Sequence, residues 1–176
     1  MSPGRRVVIT GFMGAGKTTV GRALARLLGV GFVDLDDALA SDEGRGPREL
    51  IDEEGEEYFR AAETRALRRV LEEGAVGVIA TGGGAWTLER NRSLVGAHGC
   101  LSVWLDAPYE LCRRRIEGQG AASERPFARD PERARSLYEQ RLAAYRLADL
   151  RVSVTPPSGV EEVAAEIAGA LGSKID

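Results

Sequence analysis

The chain has 176 residues, of which 43% are hydrophobic and 29% charged, with a formal net charge of -3. Those values fit one ordinary globular domain with an ample core, and they exclude a strongly basic nucleic-acid surface. Two cysteines and one histidine exclude a zinc set, and no apolar run reaches the roughly 18 residues of a membrane span. The opening Met-Ser-Pro-Gly-Arg-Arg leads into a run too short for a signal-peptide core, so a cytoplasmic protein is expected, with no nucleic-acid or membrane partner.

The first β-branched run predicts a strand over 6–10. It is followed by Gly11-Phe12-Met13-Gly14-Ala15-Gly16-Lys17-Thr18 and an apolar helical pattern over 17–28. Strand, glycine loop and helix in that order spell a phosphate-binding loop. The glycines let the backbone curl, and the N–H groups of Gly14, Ala15, Gly16, Lys17, Thr18 and Thr19 are the candidate cradle, backed by the positive end of the helix dipole. Lys17 is placed to reach the β- and γ-phosphates, and the Thr18 hydroxyl to hold magnesium. Lys17 and Lys174 are the only lysines among 24 basic residues. A chain that otherwise uses arginine thus spends a compact ammonium where a phosphate needs one.

A second strand over 31–34 ends in Phe32-Val33-Asp34-Leu35-Asp36-Asp37. Alternation along a strand puts Asp34 and Asp36 on one side. One carboxylate near magnesium and another near an acceptor hydroxyl make a workable kinase arrangement. The alternative is that Asp36 or Asp37 caps the following helix. The polar stretch 36–54, broken by Gly44, Gly46 and Pro47, reads as one or two short helices beside the sheet. A helix over 55–73 then carries Arg60, with Glu63 three positions on to orient its guanidinium.

The third strand, 76–80, runs into Thr81-Gly82-Gly83-Gly84, where glycines at a strand's carboxyl end admit close approach to the backbone. Helices over 88–95, 109–116, 132–147 and 160–171 and strands over 101–105 and 151–154 complete an alternation that implies a parallel sheet covered on both faces. Cys100 and Cys112 read as buried thiols in a reducing cytosol, with a disulfide between them possible but unneeded. Residues 117–131 lack an apolar period and contain Arg125-Pro126, which suits a functional lid. Arg141 lies in the 132–147 helix.

Together these segments resemble shikimate kinase, within the nucleoside-monophosphate-kinase-like group of phosphate-loop enzymes. The motifs are Gly-Phe-Met-Gly-Ala-Gly-Lys-Thr-Thr-Val-Gly-Arg (11–22), Phe-Val-Asp-Leu-Asp (32–36), Gly-Glu-Glu-Tyr-Phe-Arg (55–60), Thr-Gly-Gly-Gly (81–84), Arg-Pro (125–126) and Tyr-Glu-Gln-Arg (138–141). The resemblance implies a single three-layer α/β/α domain over 1–176 with a five-stranded parallel sheet in the order 2-3-1-4-5. It also implies a substrate-binding segment over 35–62, a lid over 117–131, and transfer of the γ-phosphate of ATP to the 3-hydroxyl of shikimate in aromatic amino-acid biosynthesis. Gly14, Gly16, Lys17 and Thr18 match the phosphate and magnesium positions, and Asp34 the carboxylate near the metal. Asp36 matches the carboxylate at the substrate hydroxyls, a catalytic base or an orienting group. Arg60 and Arg141 match the pair that grips the shikimate carboxylate, and Gly82, Gly83 and Gly84 the wall of that pocket. Arg125 matches the lid arginine at the transferring phosphate. One of Arg113, Arg114 and Arg115 is expected near adenine, with Arg114 chosen, and the Thr155-Pro156-Pro157 loop on its other face. The expected ligands are Mg2+, ATP and shikimate, and the expected state is a monomer. Phe127-Ala128 and Ala143 depart from the family pattern. Another small-molecule kinase, such as a gluconate kinase, and a non-catalytic sensor built on this scaffold are the alternatives.

Overall fold

The computed structural model describes residues 5–118 and 130–172. Strands β1 (Val7–Thr10), β2 (Phe32–Asp34), β3 (Val78–Ala80), β4 (Leu101–Asp106) and β5 (Leu150–Ser153) form one parallel sheet in the order β2-β3-β1-β4-β5. Val7, Val8 and Ile9 are all fully buried, as are Val78 and Ile79. Consecutive buried residues leave no solvent face, so the central strands are covered on both sides. At one edge, β5 alternates instead: Val152 is buried while Arg151 and Ser153 are exposed. Its start is set by Asp149, whose carboxylate accepts from the Ser102 N–H at 2.9 Å and the Ser102 hydroxyl at 2.8 Å.

The flanking helices are α1 (Lys17–Leu28), α2 (Leu35–Glu43), α3 (Pro47–Glu54), α4 (Glu56–Glu73), α5 (Glu89–Ala97), α6 (Tyr109–Gly118), α7 (Pro131–Tyr145) and α8 (Val160–Gly172), with a 3-10 turn at Ala85–Thr87. α1 packs on α8, while α4 packs on α2, α3 and α5. The polar stretch after β2 resolves into the helices α2 and α3, anchored by the buried Leu35, Leu39 and Leu50.

One local expectation is corrected. β2 ends at Asp34, so Asp36 belongs to α2 and strand alternation does not relate the two carboxylates. Asp34 itself caps the helix, its carboxylate accepting from the Asp36 N–H at 3.0 Å, in place of Asp36 or Asp37. The reason is economy of chain. A capping carboxylate on the last residue of the strand lets the helix begin without a turn. The lid segment 117–131 falls mostly outside the described residues, and Arg125 with it; α6 and α7 stand at its two ends.

Candidate active site

At the carboxyl end of β1 the chain curls through Gly14 and Gly16, whose φ angles of 78° and 96° lie in the left-handed region. A Cβ on Gly14 would also sit 2.7 Å from the Cys112 carbonyl of α6. Gly16 heads α1 with no side-chain cap, so the first N–H groups of the helix remain open to an anion. Lys17 bends back over this loop, its Nζ donating to the carbonyls of Gly11 at 2.8 Å and Phe12 at 3.0 Å. The Thr18 hydroxyl donates to the free oxygen of Asp34 at 2.6 Å. From α6, Arg115 donates to the Gly14 and Ala15 carbonyls at 3.1 and 3.2 Å, tying the loop to the neighbouring helix.

The loop forms one end of a cavity of about 630 Å3. The other end is built from charged side chains set against the Gly82–Gly84 backbone. A Cβ on Gly82 would lie 2.8 Å from Glu63 Oε1 and 3.2 Å from Asp36 Oδ1, and one on Gly83 3.1 Å from Arg141 Nη1. A Cβ on Gly84 would collide with the Arg60 guanidinium. Each glycine therefore seats a different charge, and this is why the wall carries no side chains. Arg60 donates to Glu63 Oε2 at 2.9 Å, and Glu63 is 1% exposed, its other oxygen buried with no hydrogen-bond partner among the described residues.

The electrostatics follow from this packing. Burial pushes the Glu63 carboxyl above its ordinary value; the Arg60 cation opposes the shift and the Asp36 carboxylate adds to it. Burial pulls Arg141 below its ordinary value, and the nearby Arg60 cation pulls it further. Two guanidinium groups lining a single cavity form a site for an anion. A second layer lies beneath the backbone of Arg60. The Thr64 hydroxyl lies 3.0 Å from the Arg60 carbonyl and 2.8 Å from Asn91 Oδ1, while Asn91 Nδ2 donates to the Ala85 carbonyl at 2.9 Å.

The cavity collects Gly14, Ala15, Gly16, Lys17, Thr18, Thr19, Asp34, Asp36, Arg60, Gly82, Gly83, Gly84 and Arg141 along its walls. Arg114 is not among them: it is exposed, and Arg115, one position on, lines the cavity instead. Residues 109–118 are helical, so a step of one position turns a side chain by about 100°. Near the loop 155–157, the lining residues are Val154, Ser158 and Gly159. Glu63 reaches the cavity itself as well as orienting Arg60, and its spacing from Arg60 was the only signal of it. Thr64 and Asn91 carried none that stood out from core residues. Both cysteines are free and buried, and burial pushes the Cys112 thiol up to about 11, which keeps it protonated.

A family model described as shikimate kinase matches residues 13–171. A shikimate kinase of Ruegeria pomeroyi is 40% identical over 175 residues, covering 98% of this chain and 87% of the relative. One of Geobacter sulfurreducens is 44% identical over 172 residues, covering 95% and 91%. The solved structure of the Acinetobacter baumannii shikimate kinase in complex with shikimate superposes with a TM-score of 0.85 at 32% identity, covering 98% of this chain and 96% of that one. With the phosphate loop, the glycine wall and the two convergent arginines in one cavity, the chain belongs to the shikimate kinase family.

Proposed function

We propose that this protein is a shikimate kinase that moves the γ-phosphoryl group of ATP to the 3-hydroxyl of shikimate. The observation that carries the reading is the convergence of Arg60 and Arg141 on one cavity whose other end is the phosphate loop. Shikimate is a small ring with one carboxylate and three hydroxyls, so it needs fixed cations and acceptors. The two guanidinium forks suit its carboxylate, the glycine wall lets the ring lie against backbone, and Asp36 faces the same space for a hydroxyl.

In the reaction the acceptor oxygen forms a bond to the γ-phosphorus, the bond from that phosphorus to the β,γ-bridging oxygen breaks to release ADP, and the hydroxyl proton passes to Asp36 or to solvent. Asp36 is the group assigned to that hydroxyl, as base or orienter. Catalysis is then mainly alignment and charge neutralisation. The loop N–H groups and Lys17 hold the β- and γ-phosphates, and the resemblance assigns Arg125, outside the described residues, to the transferring group. Magnesium fits the donors present: a hydroxyl and a carboxylate oxygen 2.6 Å apart, from Thr18 and Asp34, match an ion held by one or two protein oxygens plus waters and phosphates. When bound, it supplies positive charge to the phosphate oxygens. The named groups come from one chain, so a monomer suffices, and the free buried thiols suit a reducing cytoplasm.

A coupled ADP-release assay with Mg-ATP against shikimate, quinate, gluconate and nucleoside monophosphates tests the reading. Turnover with shikimate is expected. Turnover with gluconate or a nucleotide and none with shikimate would overturn it.

A further inference from the structure

Behind the acceptor end of the cavity lies a tyrosine that does not line it. Tyr145 is fully buried, its ring stacked on Trp104 with centroids 6.0 Å apart and an interplanar angle of 27°. Its hydroxyl donates to the Gly83 carbonyl at 2.6 Å, the short end of the range for such bonds. Arg141 sits four residues earlier on α7, one helical turn back on the same face. Burial pushes the Tyr145 hydroxyl up to about 12, and the Arg141 guanidinium nearby opposes that rise. Gly83 closes the set, since its Cα turns toward Arg141 Nη1 on the cavity side while its carbonyl receives the hydroxyl behind.

Arg60 has the Glu63 carboxylate on its own helix to hold its orientation. Arg141 has instead the Phe12 ring, 6.0 Å from its guanidinium carbon, and the Gly83 backbone beside its Nη1. An aromatic face restrains the height of a guanidinium above the ring more than its rotation. The Gly83 backbone, held from behind by the Tyr145 hydroxyl, is the polar surface beside that guanidinium.

We infer that Tyr145 is a positioning residue of this site, its hydroxyl fixing the second glycine of the wall beside Arg141 so that both meet the substrate carboxylate already aligned. The inference rests on the shikimate kinase reading. A long side chain left free in the empty site must be ordered on binding, and that cost falls on substrate affinity while leaving the chemical step nearly untouched.

Tyr145→Phe keeps the ring and its stacking and removes only the hydroxyl. The KM for shikimate is expected to rise about 5–10-fold, the size of one lost hydrogen bond, while KM for ATP and kcat change by less than about twofold. In an Arg141→Lys background the same hydroxyl removal is expected to have little further effect on shikimate binding measured by calorimetry. Trp104→Phe, which weakens the stack and leaves the hydroxyl, is expected to lower the thermal midpoint without separating the two KM values. An unchanged KM for shikimate, an equal rise in both KM values, or an effect that adds in full to Arg141→Lys would each overturn the inference. A wild-type protein inactive on shikimate would overturn the functional reading instead.

Discussion

Lys17 spans the phosphate loop that carries it, with its ammonium bonded to two carbonyls of the preceding turn. A lysine so placed is pre-aimed at the space above the loop N–H groups, and a phosphate there meets a charge whose position already costs little to fix. Lys17→Ala is expected to lower kcat by about 10²-fold or more with a small change in thermal midpoint, as read from ADP release and a melting curve. Near-wild-type turnover would remove Lys17 from the reaction. This residue was legible because its neighbours in space are its neighbours in sequence. The arginines of 113–115 were not: only the docking of α6 against the loop selects Arg115, through bonds to the Gly14 and Ala15 carbonyls.

At the level of elements, the glycines of the loop and of the wall act through different physics, and substitution separates them. A methyl on Gly84 meets the end of a flexible arginine, which can swing away. Gly84→Ala is therefore expected to raise the KM for shikimate about tenfold while the thermal midpoint stays within a few degrees. A methyl on Gly14 meets the backbone carbonyl of Cys112 in a left-handed conformation, and neither can yield cheaply. Gly14→Ala is expected to lower the midpoint clearly and weaken ATP binding. Kinetics and melting curves on the pair check this, and a reversed pattern would mean that the wall, not the loop, supports the fold. The helices other than α2 and α3 were readable from apolar period to within a residue or two. Asp34 as a cap was not, because a strand that passes straight into a helix leaves no turn residues to mark the change.

Across the whole molecule, the site imposes a cost on stability through Glu63. Burial outweighs its pairing with Arg60, so its carboxyl titrates above the ordinary 4.5 in the folded protein. Between that value and the raised one, the native state holds a proton that the unfolded chain has released, and stability falls as pH rises through the window. Above the window the buried charge is carried in full, and below 4.5 both states are protonated. Glu63→Gln is expected to flatten this decline and to melt no lower than wild type at neutral pH, while binding shikimate more weakly. Calorimetric midpoints from about pH 5 to 8 test it, and parallel profiles for the two proteins would show that Glu63 does not titrate as its burial implies.

The alternation of apolar runs, the glycine-lysine loop and the helical periods were determined by the sequence alone, because each is a local pattern enforced by backbone geometry and burial. The pairing of Arg60 with Arg141 as geometry, the place of Arg115, the burial of Glu63 and the hold of Tyr145 on the wall were decided by tertiary structure. Those contacts join segments far apart along the chain, and sheet order sets their separations. In a sequence so rich in arginine, no local pattern distinguishes a guanidinium bound for a cavity from one bound for solvent.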